Sequence, residues 1–343
     1  MTSKKASLND IERQNILNNP YVVEPLQKGI GFNYPIIEWE MRITIQQIAD
    51  FFDVSKRTIE RKIEENQQEL QKNWYEIFTW DRLKKVKEAL GTDINVGTKI
   101  TILWLFNFRA FINIWMLLTQ SEKAKELRSI ILDVVVDVMN QRTWWSTKYI
   151  NQRDDNYINT YVASKTYRKD FTDALHIYVA AWPVKFPLMT NKIYTFLFGE
   201  DASAYRKILK LEPEEKNIRS TFYAEVLTAV STIETGFAHH LKTLFEKKST
   251  QLSYNETEEA FEDFVSLPVI QPQVENARTI MASRDKWFRD IIHEALTPYL
   301  ESLSPEEYEK FLSDDWKRNE EKTKKALEII DDNEAVFIRL RDQ

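Results

Sequence analysis

The chain has 343 residues, with no Cys, 4 His, 6 Gly and 10 Pro, and a formal net charge of −6. Without Cys it is neither a disulfide-stapled scaffold, a Cys-ligated zinc finger, an iron–sulfur protein nor a thiol-nucleophile enzyme. So few glycines argue against Rossmann and phosphate-loop folds, which need them for tight turns and close approach to phosphate.

No apolar run reaches the roughly 18 residues of a membrane span. The polar start lacks the apolar stretch of a secretory leader. A cytoplasmic chain with no membrane partner is therefore expected. The acidity is uneven: residues 301–343 hold 13 acidic and 8 basic side chains. The first 300 residues are nearly neutral, so a nucleic-acid role must be judged from local basic faces.

In chain order, residues 1–40 mix turn signals (Asn18–Pro20, Pro25, Gly29, Gly31, Pro35) with short apolar patches and suit an N-terminal arm, ending in a strand over 34–39. Residues 41–71 read as helices. The aromatic run 73–80 and the β-branched run 99–106 read as strands, with a helix over 81–90 stopping at Gly91. Residues 108–141 form a strong helical stretch broken near Thr119, where Ser121 can cap the second half. After residue 147 every periodic segment is helical: 154–161, 165–182, 189–198, 203–211, 214–246, 255–265, 273–300 and 305–341. Ser304 followed by Pro305, Glu306 and Glu307 has the grammar of a helix start. The expected fold class is mainly α: an arm (1–40), a winged helix-turn-helix domain (41–106), a helical connector (107–147) and a large all-α C-terminal domain (148–343).

One motif carries a mechanism. Thr44 can cap a helix over 45–52, Ala49 is small enough for two helices to cross, Asp53 occupies the turn and Val54 plugs it. Ser55 then caps a second helix over 56–65, whose Ile59 and Ile63 point inward at i, i+4 spacing. This is the pattern of a helix-turn-helix, whose second helix enters the major groove. Its outer face offers Ser55, Lys56, Arg57, Thr58, Arg61 and Lys62. Arginine can pair bidentately with guanine, while Lys and the hydroxyls can hold phosphates. The turn usually prefers Gly because φ is often positive there; Asp is among the few other residues that tolerate it. The competing reading is a protein-binding helical hairpin with a solvated charged face. Lys84 and Lys85 are either secondary contacts beside a wing or an ordinary exposed helix face.

The motif over 43–63, followed by residues 104–138, resembles the organisation of RhuM-like virulence-associated proteins. Leu105 to Arg109, Ser121 to Arg128 and 130–138 are similar to the second half of BRO-type domains of phage antirepressors. The resemblance covers roughly residues 41–141. It implies a DNA-binding protein of bacterial mobile elements, sometimes coded beside toxin–antitoxin or defence genes, and it carries over no catalytic residue.

Elsewhere two readings compete at each cluster. Lys148, Gln152 and Arg153 follow Trp144 and Trp145, and either touch nucleic acid or a partner, or bond to neighbouring helices across a linker. Arg284, Lys286 and Arg289 interleave with Trp287 and Phe288, as in single-strand binding, or Trp287, Ile291 and Leu296 form a core stripe. His239 and His240 sit about 100° apart on a helix and do not face one metal site; His176 and His293 stand alone. Tyr149, Tyr157, Tyr161, Tyr167 and Tyr178 suit packing or self-association. The expectation is a homodimeric transcriptional regulator that binds double-stranded DNA, with no cofactor, no metal and no catalytic residue. The alternatives are an interaction module for a protein encoded nearby, or an enzyme such as a nuclease.

Overall fold

A computed structural model describes residues 8–29, 36–37, 40–67, 70, 75–79, 102–143, 147–182, 184–213, 215, 217–313 and 316–332. The fold is mainly α-helical and divides into two compact units, Met1–Gln141 and Arg142–Gln343.

In the first unit the expected arm holds two helices, α1 (Leu8–Asn18) and α2 (Pro20–Gly29). The reason lies at Asn19 and Pro20. The Asn19 side chain accepts the Tyr21 N–H at 3.0 Å, and Pro20 takes the first helical position, where an N–H is not needed. What reads as a turn signal is a helix start. Leu17, Val22 and Leu26 are buried in the same core as the rest of the unit.

Two short strands, β1 (Ile36–Ile37) and β2 (Glu40–Met41), pair antiparallel. β3 (Ile43–Thr44) leads directly into α3 (Ile45–Phe52) and α4 (Lys56–Glu65). β4 (Tyr75–Thr79) and β5 (Ile102–Phe106) complete an antiparallel sheet in the order β3-β5-β4. Both fall within the expected strands. The helix expected over 81–90 and its Gly91 stop lie outside the described residues.

α5 (Phe108–Leu117) and α6 (Glu122–Thr143) follow. Phe52 stacks on Phe111 at 5.3 Å between ring centroids, and Phe108 stacks on the same ring at 5.9 Å. Trp115 is fully buried and donates its indole N–H to the Ala124 carbonyl at 2.9 Å. A buried indole needs such a partner.

The second unit opens with a 3₁₀ segment (Thr147–Arg153), then α7 (Tyr157–Tyr178), α8 (Lys185–Phe198), α9 (Ala202–Ile208) and a 3₁₀ turn (Ile218–Thr221). α10 (Ala224–Lys248), α11 (Tyr254–Val265) and α12 (Gln271–Arg284) follow. A π segment (Asp285–Arg289), a 3₁₀ segment (Glu294–Tyr299), α13 (Pro305–Leu312) and α14 (Trp316–Asp332) end it. The long α7 and α10 pack along each other. Phe237 of α10 meets Phe171 of α7 at 6.4 Å and Phe261 of α11 at 5.3 Å. Tyr157 and Tyr161 are buried and stacked at 5.7 Å. Ser304 caps α13 as expected, with Glu307 returning the bond to the Ser304 N–H at 3.2 Å.

The single helix expected over 273–300 does not form. α12 widens into the π segment, and Asp290 stops it at φ 55°. This turn of the chain carries Asp285 and Arg289 inward, both with side chains at 0% exposure and 3.1 Å apart. Tyr223 donates to Asp285 at 2.8 Å. His293, alone in the sequence, bridges Asp285 and Glu200, each at 2.7 Å. Burial alone would depress His293, but hydrogen bonds to these two carboxylates outweigh it and push its pKa up to about 9. Burial would likewise raise Asp285; the Arg289 charge and the bond from His293 hold it below the ordinary carboxylate value.

The direction of each shift sets a pH window. The His293 contribution is complete below its unfolded pKa of about 6.5 and is lost as pH rises through about 9. The Asp285 contribution is present above the ordinary carboxylate range and is lost as pH falls through its depressed value. Thermal melts from pH 5 to 10 should therefore fall on the alkaline side near pH 9. His293→Ala leaves the buried Asp285 and the half-buried Glu200 unbridged and should cost about 3–5 kcal/mol in urea denaturation. A flat alkaline limb in the parent protein would remove His293 from this role.

Candidate nucleic-acid interface

The α3–α4 pair is built by caps rather than by length. Thr44 starts α3: its hydroxyl accepts the Gln47 N–H at 3.2 Å, and the Gln47 side chain accepts the Thr44 N–H at 2.9 Å. This reciprocal box satisfies two amides that the helix cannot. Ile48, Ala49 and Phe52 are buried. Asp53 ends the helix in the left-handed region at φ 52°, ψ 49°, the turn conformation expected of it. The Val54 N–H then closes on the Ala49 carbonyl at 3.0 Å.

Ser55 starts α4, accepting the Thr58 N–H at 3.1 Å, with the two hydroxyls 2.8 Å apart. Ile59 and Ile63 are buried at 0% and 1% exposure and fix which face of α4 turns in. The other face is left to Lys56, Arg57, Arg61 and Lys62. Lys56 and Arg61 have side-chain exposures of 54% and 58%, and Arg57 has no ion-pair partner among the described residues. The remaining cations make helical ion pairs: Lys56 with Glu60 at 3.8 Å, Arg61 with Glu65 at 3.7 Å and Lys62 with Glu65 at 2.8 Å. The bond from Lys62 holds the exposed Glu65 carboxyl below its usual value. Such solvated pairs are weak and screened by salt, so these cations can exchange a carboxylate for another anion.

The α5–α6 loop adds what the motif did not contain. The Ser121 hydroxyl accepts the Ala124 N–H at 3.2 Å and donates to the Phe52 carbonyl at 3.0 Å. One side chain thus caps α6 and ties it to the end of α3. Lys123 sits 4.0 Å above the Phe51 ring. Thr119, Gln120 and Lys123 face Thr58, Arg61 and Lys62 across a cavity of about 620 Å³. The capping signal at Ser121 was legible; that the loop would reach back to α4 was not.

The remaining candidates fall elsewhere. Lys84 and Lys85 lie outside the described residues. Lys148 is half-buried, with Nζ 3.6 Å from Glu215. Arg153 is buried and donates to the Phe311 carbonyl; its contacts are those of the helix-bonding alternative. Neighbouring Asn151 donates to the Ser220 and Phe222 carbonyls, each at 2.8 Å. Arg284 is buried and forked onto Glu225 at 2.9 and 3.0 Å, and Arg289 serves Asp285. Arg284, Phe288 and Arg289 are therefore interior, while Lys286 and Trp287 are half-buried. Among the described residues, no group of three or more His, Asp or Glu side chains is arranged to hold a metal ion, and no helix is long and apolar enough to cross a membrane. Against protein-family models, curated proteins and solved structures, the chain has no match.

Two substitutions separate the turn from the loop. Asp53→Gly should be neutral or stabilising by up to about 1 kcal/mol, since Gly meets no penalty at positive φ, whereas Asp53→Val should destabilise by roughly 1–2 kcal/mol. Ser121→Ala removes a cap and strands a carbonyl, and should cost about 1–2 kcal/mol. Urea midpoints measure all three; equal effects of Gly and Val at residue 53 would contradict the left-handed turn.

Proposed function

We propose that the first unit is a winged helix-turn-helix that reads double-stranded DNA, with α4 as the helix entering the major groove. The observation that carries this reading is the outer face of α4: four cations and two hydroxyls on a helix held from behind by Ile59 and Ile63 and from below by the left-handed turn at Asp53. Arg57 and Arg61 are the base-reading candidates, because a guanidinium can fork onto a guanine edge. Lys56, Lys62 and the Ser55 and Thr58 hydroxyls suit phosphates, which position the helix without reading sequence.

The β3-β5-β4 sheet behind the helix pair supports the winged form. A single such module makes few base contacts, so the reading includes a homodimer placing two copies of α4 one helical turn apart on the duplex. The resemblance of residues 41–141 to RhuM-like and BRO-type proteins makes a transcriptional regulator of a bacterial mobile element the form of the proposal.

Gel shifts on sites selected from a random duplex pool test it. Arg57→Ala and Arg61→Ala should each weaken specific binding by roughly ten- to a hundredfold and relax selectivity at one position. Affinity should also fall steeply between about 50 and 200 mM salt. Unchanged binding by both variants, or binding indifferent to salt, would remove α4 from the interface.

A further inference from the structure

The second unit contains a concentration of positive charge that the DNA reading does not use. A cavity of about 410 Å³ opens among α7, α8, α9 and the 3₁₀ turn at Ile218–Thr221, and Lys165, Arg168, Arg206 and Arg219 line it. Among the described residues, no carboxylate lines it. This is notable in a chain whose net charge is −6.

The cations are held in place rather than scattered on the surface. Glu234, at 0% exposure, lies behind the wall and accepts from Arg168 at 3.1 Å and from both terminal nitrogens of Arg219. Arg219 also donates Nε to the Tyr194 hydroxyl at 3.0 Å. Arg206 is clamped by the Glu215 and Glu212 carbonyls at 2.6 and 2.9 Å. Lys165 is paired with Asp331. Glu234 thus serves two guanidiniums at once, and Arg168 and Arg219 both line the cavity.

Hydrogen-bonding capacity points the same way. Arg168 uses Nη1 on Thr190 and Glu234, while its Nη2 has no partner among the described residues. Its side chain is 31% exposed, so it reaches the opening. Asn191 accepts the Ala202 N–H on its oxygen at 3.2 Å, leaving its amide nitrogen without a partner among the described residues. Clustered guanidiniums at the edge of water suit an oxyanion with several acceptor oxygens. The cavity is larger than one phosphate group requires, and Tyr194, Pro187 and Ile218 give it an apolar wall.

We infer that this cavity is a binding site for a small phosphomonoester, with the phosphate against Arg168 and Arg219 and the organic body against Tyr194. The site belongs to the second unit and is independent of the DNA reading. It would give this unit a small-molecule input.

Isothermal titration of the full chain tests it, with adenosine 5′-monophosphate, inorganic phosphate and adenosine as probes at ionic strength matched with chloride. Saturable binding of the monophosphate, tighter than inorganic phosphate and absent for adenosine, is expected. Arg168→Gln should weaken it by about tenfold or more, since one charge-assisted contact is lost. Lys165→Gln should weaken it independently, and circular dichroism checks that both variants fold. Arg57→Ala should leave it unchanged, so failure of the DNA reading and failure of this one are distinguishable. No saturable binding of either phosphate compound at millimolar concentration overturns the inference. So does binding that both cavity variants leave unaltered.

Discussion

A carboxylate taken out of water must be met by cations, and the second unit is arranged around two such groups, Glu234 and Asp285, both with side chains at 0% exposure. Glu234 is met by Arg168 from α7 and by Arg219 from the 3₁₀ turn after α9. Asp285 is met by Arg289 within the π segment and by His293 beyond it. Each residue along a helix turns it by about 100°, so a one-residue slip of α7 or α10 would leave a charge buried alone. That outcome is far costlier than losing an apolar contact. The ion pairs therefore select the helix register, and the aromatic contacts among Phe171, Phe237 and Phe261 fill the space that register defines.

The same constraint explains the break after α12. An α-helix continued through His293 would carry it about 12 Å along the axis from Asp285, too far for the bond that is found. The π segment inserts the extra residue per turn, and Asp290 takes a positive φ to end it. His293 then reaches back to Asp285 with one ring nitrogen and to Glu200 with the other. It is a proton-bearing bridge between two carboxylates, which is why its charge state and the stability of the unit move together.

The helix pair of the first unit was legible because its determinants are local. Thr44, Gln47, Asp53, Ser55 and Thr58 lie within 15 residues, and each acts on a backbone group no more than three or four positions away. The left-handed Asp53 could be read from its residue type and place alone. The arm was misread because Pro20 signals a turn in isolation and a helix start only beside a capping Asn19, and Pro25 lies inside the helix that follows. The polar interior of the second unit was illegible for a different reason. Arg168 and Glu234 are 66 residues apart, His293 and Glu200 are 93. Nothing in a basic-aromatic run such as 284–289 reveals whether its cations face water or a distant carboxylate. The strength of the caps is a property of neighbours; the fate of a buried charge is a property of the whole fold.

The two basic concentrations differ in how they are supported, and so in what salt would do to them. The cations of α4 are exposed or half-exposed, and three of them are held by solvated pairs with Glu60 and Glu65. Their attraction for an anion is screened within about 8–10 Å at ordinary ionic strength. Arg219, at 11% side-chain exposure, is oriented by Glu234 and Tyr194 rather than by a ligand. A preset, half-buried guanidinium loses little freedom on binding and is screened less. On the proposed readings, one face is suited to a long polyanion met by many weak contacts, and the other to a small anion met by a few fixed ones. An acidic chain can carry both because neither depends on net charge. Each depends on where the fold leaves a guanidinium without a full complement of carboxylates.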